Sequence, residues 1–84
     1  MKKATIYTTQ YCPHCQRAKS LLKTKKIDFE EIDLTDDQAK RDQLEAKTGW
    51  MTVPMIFIGE KFIGGSDDLH QLDQTGELDK LLKS

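Results

Sequence analysis

Two cysteines three positions apart, in the stretch QYCPHCQRAK (residues 10–19), are the only thiols of the chain. A pair at this spacing can staple a fold, supply half of a metal site, or open and close as a dithiol during turnover. A bridge from Cys12 to Cys15 closes too small a loop to stabilise folding much. Tetrahedral zinc takes four ligands, and the only other soft donors are His14, which sits between the cysteines and points elsewhere, and His70, which falls in a distant helix. The spacing therefore favours a redox pair, with a metal knuckle as the lesser reading. A cysteine where a strand ends and a helix begins meets outward-pointing backbone N–H groups and the positive end of the helix dipole, which favours thiolate over thiol. Cys12 has that position. Cys15 lies almost one turn further in on the same side, within reach of Cys12 but shielded from solvent. Cys12 is thus expected to attack and Cys15 to resolve.

The elements that must position this pair follow from the pattern around it. KATIYTT has the β-branched and aromatic character of a strand and runs directly into the cysteines. Pro13 suits a first helical position, and Cys15, Ala18, Leu21 and Leu22 then share one face. Arg17, Lys19, Lys23, Lys25 and Lys26 lie mostly off that face and are expected to be a solvated surface. IDFEEIDL reads as a second strand with a register slip near Glu30 and Glu31. Strand, helix, strand in this length is a parallel crossover unit. Thr35 with Gln38 resembles a capping box, and Gly49 ends the helix after Leu44 and Ala46 have packed inward. VPMIFIGEKFIGG then predicts a β-hairpin, residues 55–58 and 61–63. Ser66 is expected to cap a third helix, DDLHQLDQ, and ELDKLLK to close the chain with Leu78, Leu81 and Leu82 inward. The order is βαβ, α, ββα.

Length and composition bound what such a unit does. Eighty-four residues, 37% apolar and 32% charged, suit one small globular domain over residues 1–84. A net charge of −1 gives no reason to expect nucleic acid. Met1 to Lys3 starts like the basic end of a signal peptide, but ATIYTTQY follows instead of an apolar run. No segment is apolar enough for a membrane span, and two cysteines are too few for a secreted disulfide scaffold. A reducing cytoplasm is the expected setting, with the chain acting as a monomer.

Three blocks in this order, YCPHC after the first strand, TVPMIFI at 52–58 and GGSDDL at 64–69, resemble the glutaredoxins of the short bacterial dithiol type. The likeness covers essentially the whole chain. It implies an α/β thioredoxin fold, a four-stranded mixed sheet of order 2-1-3-4 flanked by helices, and reduction of disulfides with glutathione as co-substrate and no metal. It also implies a cis bond between Val53 and Pro54. Beside this stands a physical reading of the same residues. The Val53 backbone, flanked by Thr52 and Pro54, can pair with an extended peptide-like ligand as an added strand does. Gly64 and Gly65 allow close turning, and the helix begun by Ser66 and Asp67 offers free N–H groups to a γ-glutamyl carboxylate, with Asp67 placed for the ligand's ammonium. Protein disulfides are the expected partners, and the resemblance admits ribonucleotide reductase among them as a family possibility only.

The chain departs from the family pattern in places. Thr9, Gln10 and Tyr11 fill a stretch where many relatives carry a lysine, and Trp50 and Met51 precede TVP where a basic or polar residue is common. Lys47 is a candidate substitute cation, and Trp50 is expected to pack. His14 replaces the usual tyrosine, so His14 joins Pro13 as a candidate for tuning the thiolate and for contacting glutathione. Cys-Pro-His-Cys is the arrangement of DsbA-type oxidases, whose larger exported chains do not match this one. The other readings are a redoxin reduced by thioredoxin reductase and an iron-sulfur carrier in which two chains each give Cys12 and two glutathiones complete the ligands. His70 is expected on a helix surface.

Overall fold

Successive side chains of a strand point to opposite faces, so a sheet covered on both sides asks each strand to satisfy two different environments. The computed structural model describes residues 3–10, 12–50 and 52–83, leaving Tyr11 and Met51 outside the described residues. Along the chain run β1 (Ala4–Thr8), α1 (Pro13–Thr24), β2 (Phe29–Asp33), α2 (Gln38–Thr48), β3 (Met55–Ile58), β4 (Lys61–Gly64), α3 (Ser66–Thr75) and α4 (Glu77–Lys83). The sheet order is β2-β1-β3-β4, with β1 parallel to β2 and antiparallel to β3, and β4 antiparallel to β3. The expected thioredoxin-type order is therefore present.

Parity divides the core into two layers. Ala4 and Ile6 of β1 and Ile56 and Ile58 of β3 face α1, α3 and α4, where they meet Ala18, Leu22, Leu69, Leu78 and Leu82. Met55 and Phe57 face the other way and pack with Leu34, Leu44, Tyr7 and Trp50. β3 is consequently buried at all four positions. The same logic corrects the expected register slip in the second strand. Its ladder with β1 is unbroken from Ala4↔Phe29 to Thr8↔Asp33. Phe29 joins the first layer and Ile32 the second, so the adjacent acids interrupt the alternation without any bulge. The bulge lies elsewhere: Ile56 pairs with Gly64 and Phe57 with Phe62, leaving Ile63 unopposed.

Helix starts also differ from the sequence reading. Thr35 does not cap α2, because its N–H and hydroxyl both donate to Asp33 Oδ1 (2.8 and 2.6 Å) while its oxygen accepts from the Gln10 amide (2.8 Å). Asp37 is the cap instead, accepting from Lys40 N at 3.0 Å. Leu44 packs inward as expected, whereas Ala46 is exposed. α3 is capped by Gly65, with Ser66 as its first residue, and the Asp68 carboxylate reaches back to the Gly65 N–H at 3.0 Å.

Register places three loops at one end of the sheet. The chain leaves β1 just past Tyr7, which pairs with Met55, and enters β3 just before it, while β4 ends at Gly64 opposite Ile56. The thiols, the Thr52–Pro54 segment and the Gly65–Ser66 turn all emerge there. Gly64 holds φ at +115°, and a Cβ on it would collide with the Asp68 carboxylate that secures this turn. Gly64→Ala is expected to destabilise the protein by about 1–3 kcal/mol. In urea melts, adding Asp68→Ala should return only the steric part of that loss, because the backbone conformation remains unfavourable.

Candidate functional site

α1 begins where β1 ends, and its N-cap is Cys12, in extended conformation at φ −130° and ψ 101°. A cap residue accepts a hydrogen bond from one of the helix's unpaired amides. Here the acceptor is sulfur: the Cys15 N–H donates to Cys12 Sγ at 3.2 Å. Pro13 fills the first helical position, where its missing N–H leaves no gap. Both cysteines are free thiols, Cys12 half-buried and Cys15 only 1% exposed. His14 lies exposed between them.

Cys12 is tied to the second sequence block as well. Its S–H donates to the Val53 carbonyl oxygen at 3.6 Å, a sulfur hydrogen bond across the mouth of the site. The Val53–Pro54 bond is cis, as the resemblance implied. Thr52 is exposed, Val53 half-buried and Pro54 buried. The third block adjoins the second: a Cβ on Gly65 would stand 3.5 Å from the Pro54 carbonyl oxygen and 3.4 Å from the Trp50 ring, which is van der Waals contact with both. Ser66 is 4% exposed at the start of α3, and Asp67 beside it is exposed. The residues from Cys12 through Val53 and Pro54 to Gly65 thus form one contiguous surface.

Two residues given surface or packing roles take part in the frame of this surface. His70 is half-buried, and its Nδ1–H donates to the Ser66 carbonyl oxygen at 2.8 Å, securing the first turn of α3. Trp50 packs edge-on against Phe62 at 5.7 Å, as a packing residue should, and its Nε1 is buried with no hydrogen-bond partner among the described residues. Lys47 sits over the Phe57 ring, 5.7 Å from its centre. Grooves of about 730 and 670 Å³ flank α4 and α2; Lys47 and Phe57 line the second, and neither groove includes Cys12, Cys15, Val53, Pro54 or Ser66. Among the described residues, no three His, Cys, Asp or Glu side chains gather as a metal site would require.

Sequence reading missed a cluster on the α1 side of Cys15. Lys19 is ion-paired with Glu31 Oε2 at 3.0 Å, and the Thr8 hydroxyl donates to the same oxygen at 2.9 Å. Individually these are a surface lysine, a strand acid and a threonine. The signal was the spacing of Cys15 to Lys19, four residues on one helix face, combined with Glu31 sharing the strand face of Phe29.

Comparison with known proteins gives a consistent result. The glutaredoxin family model matches residues 4–63. The chain is 49% identical over 84 residues to a glutaredoxin of Pseudomonas aeruginosa, covering all of both proteins, and 47% identical over 83 residues to glutaredoxin 3 of Escherichia coli K12, covering 99% of this chain and 100% of that one. A buckwheat glutaredoxin solved in complex with glutathione superposes with a TM-score of 0.90 at 31% identity, over 95% of this chain and 76% of that one. The solution structure of a Brucella melitensis glutaredoxin gives 0.87 at 44% identity, over 99% and 90%.

The Cys15 thiol holds its proton tightly. Burial first, then the Cys12 side chain, push the Cys15 thiol from its ordinary 9.0 up to about 12, against smaller opposing effects of the Thr9 backbone and Lys19. Because the folded state holds this proton more tightly than the unfolded chain, the stability linked to Cys15 is intact below about pH 9 and is lost as pH rises toward about 12. Reduced wild type is expected to lose stability across that window more steeply than Cys15→Ser, measured by denaturant midpoints under reducing conditions. Near neutral pH, iodoacetamide should label Cys12 alone, and Cys15 only after unfolding; peptide mapping by mass spectrometry checks the order.

Proposed function

This chain belongs to the glutaredoxin family, whose members are thiol-disulfide oxidoreductases, and from that premise we propose that it reduces glutathione mixed disulfides and protein disulfides with glutathione as its reducing co-substrate. The observation that carries this reading is the contiguity of Cys12, the Val53 backbone and the N-terminus of α3. A relative of the same fold solved with glutathione supports it.

Glutathione is an extended γ-peptide. In this reading it lies along Val53, whose backbone pairs with it as an edge strand would, while Thr52 and Pro54 shape that edge. Its γ-glutamyl carboxylate meets the N–H groups of the first turn of α3, at Ser66 and Asp67, and the Asp67 carboxylate takes its ammonium. The Cys12 S–H now occupies the Val53 carbonyl. Ionisation of Cys12 removes that donor, so the carbonyl becomes free for the ligand as the nucleophile forms. Pro13 and His14 border the thiolate, and His14 tunes it through its imidazole while contacting the ligand's cysteine.

With a glutathione mixed disulfide, Cys12 attacks the glutathione sulfur, the substrate thiolate leaves, and a second glutathione attacks the Cys12 adduct to give oxidised glutathione. With a protein disulfide, Cys12 forms the adduct with the protein and Cys15 displaces it, leaving a Cys12–Cys15 disulfide that two glutathiones reduce. The chain works in this way as a monomer in the cytoplasm. No helix among the described residues is long and apolar enough to cross a membrane.

The roles predict a split between variants. Cys12→Ser should abolish turnover of a hydroxyethyl mixed disulfide in an assay coupled to glutathione and glutathione reductase, whereas Cys15→Ser should retain it and lose only the dithiol route to protein disulfides. Equal loss in both variants would contradict the assignment. Activity supported by thioredoxin reductase and not by glutathione would contradict the co-substrate.

A further inference from the structure

Cys15 is the thiol for which chemistry is hardest. It is 1% exposed, and burial holds its proton on. Resolution nevertheless requires it as a nucleophile. Starting from an adduct between Cys12 and a departing sulfur, the Cys15 S–H releases its proton to solvent and its sulfur attacks Cys12 Sγ. The Cys12–Cys15 bond forms, the bond to the departing sulfur breaks, and that sulfur leaves with the electron pair as a thiolate. The two cysteines are oxidised as the substrate disulfide is reduced. Negative charge must therefore gather on a buried sulfur.

Two features favour charge there, and one carboxylate bonds the first of them and the residue next to the second. Lys19 follows Cys15 by four residues on α1, and its side chain, 17% exposed, is drawn onto the sheet by Glu31 Oε2 at 3.0 Å. The same oxygen accepts from Thr8 Oγ1 at 2.9 Å, and Thr8, 2% exposed, fixes the end of β1 immediately before Thr9. The Thr9 backbone and the Lys19 charge both favour the anionic form of Cys15. Partial burial opposes ionisation of Glu31, but the hydrogen bonds from Lys19 and Thr8 outweigh it and bring the carboxyl below its ordinary range. The acid is ionised whenever the redox chemistry runs.

We propose that Glu31 and Thr8 are positioning residues that hold the Lys19 ammonium beside Cys15, where it supports the charge gathering on that sulfur during the resolving step. The proposal rests on the dithiol roles given above and adds a group that only the second step uses. The attack by Cys12 takes place at the helix N-terminus and does not draw on Lys19.

A symmetrical nitroaryl disulfide that releases a coloured thiolate separates the two steps without glutathione. Mixed with reduced protein in a stopped-flow instrument, it gives one thiolate when Cys12 attacks and a second when Cys15 resolves. Lys19→Met should leave the first release unaltered and slow the second by about three- to tenfold, the range for a partly exposed charge interaction. Lys19→Arg should restore the second rate, and high salt should slow wild type toward Lys19→Met. Should Lys19→Met fold poorly, Lys19→Gln and the salt series carry the same test. Equal second rates in wild type and Lys19→Met, parallel slowing of both releases, or failure of Lys19→Arg to rescue would overturn the proposal. A single release from wild type itself would overturn the dithiol roles, a result distinct from any of these.

Discussion

The hydrogen bond from the Cys15 amide to Cys12 Sγ is the constraint on which the rest depends. Helix N-caps are ordinarily oxygen acceptors, and sulfur in that place gives one atom two tasks. It satisfies an amide that the helix would otherwise leave unpaired, and it remains the outermost thiol of the site. Capping at Cys12 also fixes the phase of α1. From that start, Cys15, Ala18 and Leu22 fall on the buried stripe, so the second thiol is buried because the first one caps. A helix begun one residue later would rotate the stripe by roughly 100°, which is enough to turn Cys15 away from Cys12.

Sheet register supplies what the helix cannot. Because β3 runs antiparallel to β1, its entrance lies beside the exit of β1, and the bulge at Ile63 lets β4 end at the same place. Three segments distant in sequence are thereby brought into contact with no side chain specifying the encounter. The last junction is a close one: position 65 lies within contact distance of the Pro54 carbonyl and the Trp50 ring. The N-terminus of α3 therefore stands against the segment that faces Cys12.

Much of this was legible in the sequence because its signals are local. The CPHC stretch, the proline at the first helical position and the paired apolar runs around GEK place α1, β3 and β4 to within a residue. The motif blocks likewise named Cys12, Cys15, Val53 and Gly65 as neighbours-to-be. Caps were less legible, since they are decided by competition: Thr35 had the right type, but Asp33 and Gln10 already engaged it. The acids of β2 were illegible for another reason. A strand that serves two core layers shows neither clean alternation nor a continuous apolar run, so Glu31 looked like a slip until pairing with β1 assigned it to the α1 face. Its partners Thr8 and Lys19 lie 23 and 12 residues away, beyond any local pattern.

The two thiols consequently sit in opposite electrostatic settings on a single helix turn. Cys12 accepts the Cys15 amide at a helix start, a setting that leaves the sulfur partly open to large disulfides. Cys15 lies inside the core, where the low dielectric that penalises its ionisation also strengthens any charge held nearby. Burial keeps Cys15 as an unreactive thiol while Cys12 meets substrate, and the same burial makes one lysine count. Were Cys15 exposed, water would screen Lys19 and no cluster would be needed, but the dithiol would lose its order of reaction. The ion pair at Glu31 is the consequence: on a sheet edge it would contribute little to stability by itself. Its value arises from fixing a charge next to a sulfur that has to be hidden first and reactive second.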